Sequence, residues 1–217
     1  MHKSIHNLVS ILEELKSKFT NFDEIKIIAV SKTFQIKDIL PLAEYGHIHF
    51  GENKVQETQE KWPEIKKKFP ASQLHLVGKL QSNKVKSAVL LFDYIHSLDS
   101  IKLAKKISEE QKKINKNIKI FIQINIGNEH QKSGISINEL PLFYNTCVKE
   151  LKLNIIGLMC LPPANLDPSS YFDMMKKAAK DLSLNELSMG MSSDYITAIK
   201  CNASFIRIGT KIFGSRN

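Results

Sequence analysis

Short apolar runs alternate with longer amphipathic segments along most of the chain. Residues 1–22 predict a helix, because Leu8, Leu12, Leu15 and Phe19 recur at helical spacing among charged residues. Eight short runs rich in β-branched and aromatic residues then follow. We predict strands at residues 25–30, 47–50, 73–77, 94–96, 118–126, 154–159, 186–189 and 204–208.

The segments between these strands carry signals for the starts of helices. Ser136 and Glu139 have the spacing of a capping box. Asp167 followed by Pro168 is typical of an N-cap with a proline in the first turn. After Pro168, a stripe at helical spacing predicts a buried helix face, which consists of Tyr171, Met174, Met175, Ala178 and Leu182.

The number and order of these elements predict the fold class. Eight strands that alternate with helices, at about 25 residues per unit, favour an α/β (β/α)8 TIM barrel over an open, doubly wound sheet. Short apolar strands also fit a barrel whose outer face is covered by helices. No break in composition marks a second domain. We therefore predict a single domain over residues 1–217, with an extra N-terminal helix at 1–22 and the barrel at 23–217.

Composition excludes several classes of function. Lys and Arg number 31 against 22 acidic residues, a formal net charge of +9, but the excess is spread along the chain and does not single out nucleic acid as a partner. Cys147, Cys160 and Cys201 are too far apart for a disulfide framework or a zinc site, and His47 and His49 lack a third ligand. No apolar stretch approaches a membrane span, and the N-terminus does not resemble a secretory signal. We expect a cytoplasmic protein without a metal.

Lys32 is the first candidate for chemistry. Reactive groups in such a barrel gather at the C-terminal ends of the strands, and Lys32 follows the apolar run 27–30. A lysine that is partly desolvated at the barrel mouth becomes a usable nucleophile toward carbonyl groups. The alternative is an ordinary surface lysine in a lysine-rich chain, and this residue alone does not decide between the two.

The ends of strands seven and eight favour the first interpretation. Phosphate in barrels is often held by the loops after these strands and by a helix N-terminus. Gly209 and Thr210 offer backbone N–H groups and a hydroxyl, and Ser192 is expected to begin the helix that contains Ile196. An N-cap role for Ser192 is compatible with this, since a cap is already an anion site. Strand eight closes against strand one, so Lys32 would lie beside the phosphate, as pyridoxal phosphate requires.

Three other polar residues of the predicted strands and strand ends need an interpretation. Asn53 is either an N-cap, with Gln56 completing a capping box, or a cofactor contact. His75 and His96 are expected to be packed or hydrogen-bonded strand residues and not catalysts.

Seven motifs occur in one order over nearly the whole chain. They are AVSKT at 29–33, FGENKVQE at 50–57, HLVGKLQSNK at 75–84, KSG at 132–134, GLM at 157–159, LSMGMS at 187–192 and RIGTKIFG at 207–214. Together these motifs are highly specific. In them the sequence resembles the pyridoxal phosphate homeostasis protein family, whose fold is that of the N-terminal barrel of bacterial alanine racemase.

This resemblance implies a role for each candidate residue. Lys32 would carry pyridoxal 5'-phosphate as a Schiff base, and Arg207 would face the pyridine nitrogen. The phosphate would be bound by residues at the last two strand ends, namely Ser188 or Ser192, with Gly209 and Thr210. A permanent cation at the ring nitrogen keeps that nitrogen unprotonated and weakens the cofactor as an electron sink.

The resemblance also implies what the protein does. Alanine racemases with this barrel add a β-rich domain that carries a catalytic tyrosine, and the present sequence ends at Asn217 without it. We therefore expect a monomeric carrier that serves intracellular pyridoxal phosphate homeostasis and delivers the cofactor to apoenzymes, with at most weak residual racemase activity. The alternatives are a pyridoxal-phosphate-dependent racemase of small amino acids and a class I aldolase-like enzyme that uses Lys32 on a sugar phosphate.

The sequence departs from the family pattern in a few places. Phe34 and Gln35 stand where the family commonly has a further lysine and a proline, so no second lysine is expected there. Lys79 is unusual at its position, and residues 202–204 replace a turn that contains glycine.

Overall fold

The structure is a computed structural model that describes residues 2–215. Within this part of the chain, eight parallel strands close into a barrel in sequence order, from β1 round to β8. The strands are β1 (Lys26–Val30), β2 (His49–Glu52), β3 (Gln73–Leu76), β4 (Tyr94–Leu98), β5 (Lys119–Ile124), β6 (Asn154–Cys160), β7 (Glu186–Met191) and β8 (Phe205–Ile208). The (β/α)8 barrel predicted from the sequence is thereby confirmed, including the short strands predicted at residues 47–50 and 94–96.

Helices cover the outside of the barrel. They are α1 (Lys3–Lys18), α2 (Ile36–Glu44), α3 (Val55–Lys68), α4 (Val85–Leu91), α5 (Ile101–Lys113), α6 (Leu140–Asn145), α7 (Ser169–Asp181), α8 (Tyr195–Lys200) and α9 (Thr210–Phe213). Short 3-10 turns lie at Phe22–Glu24, Ser82–Lys84 and Ile137–Glu139, and a π-helical turn at Thr146–Glu150 extends α6. Ser136 and Glu139 form the expected capping box, at the start of the 3-10 turn that leads into α6.

Each strand has one face toward the helices and one toward the barrel interior. In β1, Ile27 and Ala29 belong to the large apolar cluster shared with the helices, whereas Ile28 and Val30 belong to a separate interior cluster. That interior cluster also contains residues from four other strands, namely Tyr94, Phe121, Met159 and Phe205. The alternation follows from the two-residue period of a β-strand. Consequently, polar residues in phase with the interior face must find partners inside the barrel.

Helix α1 packs on the outside of the barrel against α9 and α2. Leu8, Ile11 and Leu15 are buried, whereas Leu12, which the sequence pattern placed on the buried stripe, is 36% exposed. The Asn7 side chain donates to the carbonyl of Ile212 at 2.9 Å, so α1 is hydrogen-bonded to the short helix that follows β8. The N-terminal helix therefore supports the segment that contains Gly209 and Thr210.

The buried face of α7 differs from the predicted stripe. Phe172, Met175 and Ala179 are its buried residues, while Met174 is 43% exposed. The helix begins at Ser169, whose backbone N–H donates to the carboxylate of Asp167 at 3.1 Å, as expected for the N-terminal signal there. Met175 belongs to both the predicted stripe and the observed face. Tyr171 and Ala178, which were predicted to be buried, are only partly buried, and their neighbours Phe172 and Ala179 are buried instead.

Two expectations from composition can be compared with the structure. All three cysteines are buried thiols, and burial raises the pKa of both Cys147 and Cys160 to about 12. Among the described residues, no helix is both long enough and apolar enough to cross a membrane.

Gly157 in β6 provides a test of how closely the barrel strands approach each other. A Cβ atom at this position would lie 1.9 Å from the carbonyl oxygen of Glu186 on β7, so the strands would have to separate. We predict that Gly157→Ala lowers the free energy of unfolding by about 2 kcal/mol or more, measured by urea denaturation. Gly209→Ala is the matched control, because its Cβ would meet Val30 at an ordinary 3.6 Å. Equal stability of the two variants would contradict this packing.

Candidate functional site

A cavity of about 440 Å³ lies at the C-terminal ends of the strands. Six residues predicted to bind the cofactor line it, namely Lys32, Asn53, Ser192, Arg207, Gly209 and Thr210. Its other lining residues are Val30, Val77, Leu161, Met191 and Ser193. The structure thus brings together residues from six strand ends that are up to 180 positions apart in the sequence.

Lys32 lies in a tight turn that follows β1. The backbone N–H of Phe34 donates to the carbonyl of Ser31 at 3.1 Å, which makes Lys32 and Thr33 the central residues of the turn. Thr33 has a φ of 69°, in the left-handed region that a β-branched residue rarely adopts. Its N–H donates to the carboxylate of Glu57 on α3 at 2.5 Å. This contact holds a turn that Thr33 would otherwise disfavour, and so fixes the backbone at Lys32.

Lys61 holds the same turn from the other side. Its ammonium group donates to the carbonyls of Ser31 at 3.1 Å and Phe34 at 3.3 Å, and to Glu57 at 2.7 Å. It also lies 2.8 Å from the fully buried carboxylate of Glu52. Glu52 entered the sequence-based prediction only as part of the FGENKVQE motif, and Lys61 was not identified. The i, i+4 spacing of Glu57 and Lys61 on a helix was the available signal.

Glu52 is the buried centre of this network. Its Oε1 atom accepts from the Ser31 hydroxyl at 2.7 Å and from the Trp62 indole at 3.1 Å. Burial raises the pKa of Glu52, and the nearby charge and hydrogen bond of Lys61 oppose that effect. Within residues 2–215, Oε2 has no hydrogen-bond partner. The carboxylate therefore depends on Lys61 for much of its stabilisation.

Arg207 enters the cavity from β8 and is only 5% exposed. Nη1 donates to the backbone carbonyl of Ser188 at 2.6 Å and to its hydroxyl at 2.7 Å, and Nη2 donates to the carbonyl of Cys160 at 2.8 Å. Burial lowers the pKa of Arg207 from its usual value, but arginine remains charged in proteins. The site therefore contains a fixed cation whose orientation is set by β6 and β7.

Ser188 differs from its expected role. It is fully buried, does not line the cavity, and its hydroxyl contacts Arg207 at 2.7 Å and His96 Nδ1 at 2.8 Å. A hydroxyl engaged in this way inside the barrel is not placed to bind phosphate at the mouth. Of the two serines considered for the phosphate, the geometry therefore leaves Ser192, and Ser188 instead holds Arg207.

Ser192 lies between the last two strand ends but does not begin a helix as predicted. Helix α8 starts at Tyr195, and the Asp194 carboxylate accepts the N–H of Met191 at 2.6 Å in the turn before it. The Ser192 hydroxyl accepts from the Thr210 hydroxyl at 3.2 Å and from the N–H of Lys211 at 3.4 Å. The loop after β7 and the start of α9 are therefore connected at the edge of the cavity.

The position of Asn53 favours one of its two interpretations. Helix α3 begins at Val55 after Lys54, and no side chain caps its first turn, so Asn53 and Gln56 do not form a capping box. Asn53 instead lines the cavity at the end of β2.

Lys132, from the KSG motif, supports the wall of the cavity. Its ammonium group donates to the carbonyls of Leu161 at 3.3 Å and Pro162 at 2.9 Å, and it pairs with Glu129. Leu161 is one of the cavity residues. The motif thus fixes the segment after β6 and does not enter the site itself. The apolar wall residues Val30, Val77 and Leu161 were not predicted as site residues, because in the sequence they look like ordinary core residues of a strand.

A row of histidines crosses the barrel interior below the cavity. His49 Nδ1 lies 3.0 Å from His75 Nε2, and His75 Nδ1 lies 3.0 Å from His96 Nε2. His75 and His96 are fully buried, as expected for packed, hydrogen-bonded strand residues. Burial lowers the pKa of His49 to about 4 and the pKa values of His75 and His96 well below the usual value. Across residues 2–215, no cluster of three metal-ligating side chains is present.

These histidines predict a loss of stability in acid. His47 and His49 have pKa values of about 4 in the folded protein against 6.5 without burial, so the unfolded chain takes up protons first as the pH falls. Stability is therefore fully present above about pH 6.5 and declines toward pH 4, by roughly 1.4 kcal/mol per pH unit for each neutral histidine. We predict this decline in urea denaturation between about pH 6.5 and pH 5, with a shallower slope for His47→Gln. A stability that is constant or rises toward acid would refute the assignment.

The buried pair of Lys61 and Glu52 gives a second prediction. Lys61→Met removes the partner of a fully buried carboxylate, and we expect a loss of about 3 kcal/mol or more in the free energy of unfolding. Lys68→Met in the same helix is the control, since its pair with Glu44 is more than half exposed on both sides and should contribute less than about 1 kcal/mol. The double variant Lys61→Met/Glu52→Gln should recover part of the loss. Identical effects at Lys61 and Lys68 would argue against the network.

Comparisons with known proteins agree with this geometry. A pyridoxal phosphate homeostasis protein of Pasteurella multocida is 37% identical over 203 residues, which cover 89% of this chain and 87% of that protein. The Escherichia coli K12 protein of the same name is 30% identical over 230 residues, covering 100% of this chain and 98% of that one.

Solved structures show the same relationship. PipY of Synechococcus elongatus PCC7942, solved without PLP, has a TM-score of 0.89 at 33% identity and covers 98% of this chain and 100% of that chain. The structure of PipY with PLP bound gives a TM-score of 0.80 at 34% identity, with coverages of 94% and 98%. An alanine racemase of Clostridium difficile 630 shares the fold at 14% identity and a TM-score of 0.74, over 99% of this chain and 57% of that chain.

The match to a protein family spans nearly the whole sequence. Residues 5–217 match the family described as "Alanine racemase, N-terminal domain". The relatives that share at least 30% identity over most of the chain are named pyridoxal phosphate homeostasis proteins. The chain therefore belongs to the alanine racemase N-terminal domain family, together with the pyridoxal phosphate homeostasis proteins.

Proposed function

We propose that this protein binds pyridoxal 5'-phosphate covalently at Lys32 and serves to store and deliver this cofactor, without efficient turnover of amino acids. The observation that carries the proposal is the cavity at the barrel mouth, where Lys32, Arg207 and the Ser192–Thr210 edge meet. PipY, which is 34% identical and covers most of this chain, has been solved with PLP bound. We extend that property to the present protein.

The donors around the cavity fit the chemical parts of this cofactor. An aldehyde needs an amine, which Lys32 provides from within a turn held by α3. A phosphate needs hydroxyl and N–H donors, which Ser192, Gly209 and Thr210 provide at the ends of β7 and β8. The pyridine nitrogen would face Arg207, and Asn53 would contact the cofactor from the side of β2. These roles are part of the proposal.

The size and walls of the cavity also fit. A volume of about 440 Å³ lies within the range typical of small-molecule sites. Val30, Val77 and Leu161 give apolar walls, against which a flat aromatic ring can pack. Polar donors placed at the rim of an apolar pocket are the usual arrangement for binding one orientation of a ligand.

The same cavity is poorly equipped for catalysis on amino acids. Pyridoxal phosphate, when bound, supplies an electron sink for carbanions, and racemisation also needs acid/base groups on both faces of the substrate. Among the described residues, Lys32 is the one cavity-lining group able to transfer protons, since the others are apolar, amide, hydroxyl or guanidinium groups. Arg207 places a permanent positive charge where a protonated pyridine nitrogen would be needed. These features support a carrier.

The proposal includes three expectations about the intact protein. Residues 1–217 would act as one cofactor-binding domain, in which α1 supports the segment after β8. The protein would work as a monomer. Its partners would be apoenzymes that depend on pyridoxal phosphate, to which the cofactor is transferred from Lys32.

Borohydride reduction followed by mass spectrometry tests the attachment site. After incubation with pyridoxal phosphate and reduction, we predict one adduct per chain, on the peptide that contains Lys32, because reduction makes the linkage irreversible. Lys32→Ala should lose this adduct. Lys79→Ala, which removes an exposed lysine near the same mouth, should retain it. An unchanged adduct stoichiometry in Lys32→Ala would refute the proposed attachment.

The same protein preparation separates the carrier from its alternatives. A racemase would interconvert L- and D-alanine or L- and D-serine at ordinary enzyme rates, and such turnover would overturn the carrier. An aldolase-like enzyme would form its adduct with a sugar phosphate and remain colourless. A carrier is expected to be yellow, to show neither activity, and to lose its colour when mixed with an excess of an apoenzyme.

A further inference from the structure

The row of histidines inside the barrel is connected to Arg207 through a single hydroxyl. Starting at the cavity, Arg207 Nη1 contacts Ser188 Oγ at 2.7 Å, which in turn lies 2.8 Å from His96 Nδ1. The row continues at 3.0 Å to His75 and at 3.0 Å to His49. It therefore runs from β8 and β7 at the cavity to the first residue of β2, at the opposite end of the barrel.

Arg207 sets the direction of the hydrogen bonds in this row. A guanidinium group has only donors, so the Ser188 oxygen must accept from it. The contacts of that hydroxyl are Arg207 and His96, and its own proton is satisfied only if it is donated to His96 Nδ1. A neutral imidazole that accepts at Nδ1 carries its proton on Nε2. His96 then donates to His75, and His75 donates to His49, with each ring in the same tautomer.

The surroundings keep the rings in place and neutral. Tyr94 stacks on His75 at 4.1 Å between ring centroids, and Phe121 stacks on His96 at 4.3 Å. The cationic side chain of Arg207 opposes protonation of His96 at the cavity end. At the other end, Lys26 and Lys119 do the same for His49.

Other titratable groups at the lower end do not reverse this effect. His47 lies next to His49 and further opposes its protonation, while Tyr94 and Glu186 are engaged with Lys119 at 3.0 Å and Lys26 at 3.3 Å. Protonation of His75 or His49 would point its new Nδ1–H at the Nε2–H of the preceding ring, and protonation of His96 would leave the Ser188 hydroxyl proton without an acceptor. The arrangement is therefore stable as a chain of neutral imidazoles and not as a charged one.

We propose that His96, His75 and His49 are positioning residues for Arg207, a one-directional chain of neutral imidazoles that fixes the guanidinium in the cofactor cavity through the hydroxyl of Ser188. The chain keeps the Ser188 oxygen lone pairs toward Arg207, because the hydroxyl proton is taken by His96. In this way three histidines that do not line the cavity set the position of the Arg207 guanidinium inside it.

The first test uses the protein without cofactor and is independent of the proposed function. The ¹⁵N NMR signals of the imidazole nitrogens report which nitrogen carries the proton. In the wild-type protein at neutral pH we expect the proton on Nε2 in all three rings. Ser188→Ala removes the donor at the head of the chain, and should populate the other tautomer in His96 and His75. The exposed His130 is the internal control and should not change.

The second test asks whether the chain affects the cavity. His96→Leu removes the acceptor of the Ser188 proton, and His96→Asn retains an acceptor near the Nδ1 position. We expect His96→Leu to raise the Kd for pyridoxal phosphate about tenfold, the equivalent of one lost hydrogen bond, and to shift the absorption band of the bound cofactor. His96→Asn should restore both values toward those of the wild-type protein.

The outcomes separate this inference from the function on which its second test rests. Two results would overturn the proposed histidine chain whether or not the cofactor binds at Lys32. One is a proton on Nδ1 in wild-type His96 or His75, and the other is unchanged His75 signals in Ser188→Ala. Equal affinity and equal spectra for His96→Leu and the wild-type protein would overturn the positioning role. Should His96→Leu fail to fold, the signals of Ser188→Ala decide. Absence of an adduct on Lys32 in the wild-type protein would refute the proposed function and leave the histidine chain intact.

Discussion

The parallel pairing of β1 with β8 is the constraint on which the candidate site depends. Ile28 lies opposite Arg207 and Ala29 opposite Ile208 in this pair. Closure of the barrel thereby places Lys32, which follows β1, beside Gly209 and Thr210, which follow β8. Were the same strands arranged in an open sheet, these residues would lie at opposite edges, and no single ligand could contact both ends of the sequence.

A second layer of interactions turns this proximity into a defined site. Helix α3 contributes Glu57 and Lys61, which hold the turn of Lys32 with Thr33 in a left-handed conformation. On the other side of the cavity, Ser188 and the carbonyl of Cys160 hold Arg207. The backbone at Lys32 and the guanidinium of Arg207 are therefore held from different directions before any ligand binds. Preorganisation of this kind reduces the entropic cost of binding.

The barrel interior is unusual for its polarity. Cores of such barrels are generally filled by layers of branched aliphatic side chains. Here the lower half contains three histidines stacked among Tyr94, Phe121 and Phe205. Neutral histidines can fill such a space only if every ring nitrogen has a partner, since an unsatisfied buried polar group is costly. Both ring nitrogens of the fully buried His75 and His96 have partners in the hydrogen-bonded row, which links the polar interior to the cavity above.

Sequence patterns predicted the barrel and most of the cavity, for identifiable reasons. Two-residue and 3.6-residue periods identify strands and helices, and barrel closure then places strand ends together, so Lys32, Gly209 and Thr210 were predicted at one mouth. Arg207 was singled out only by the family resemblance, and Asn53 had been left open between two roles. The role of Ser188 was wrong, because a serine near a strand end can face the interior or the mouth, and a bulge between Ser188 and Met191 in β7 changes the register there. Lys61 and the histidine row depend on contacts between distant segments, which no local pattern contains.

A crystal structure of this protein grown with pyridoxal phosphate would show whether Lys32 holds the cofactor. We expect continuous electron density from Lys32 Nζ to the cofactor, with the phosphate beside Ser192 and Thr210 and the Arg207 guanidinium facing the ring nitrogen. Cofactor attached to another lysine, such as Lys54 or Lys84 of the neighbouring pocket, would contradict it. So would a cofactor in the same cavity with its phosphate turned toward Asn53.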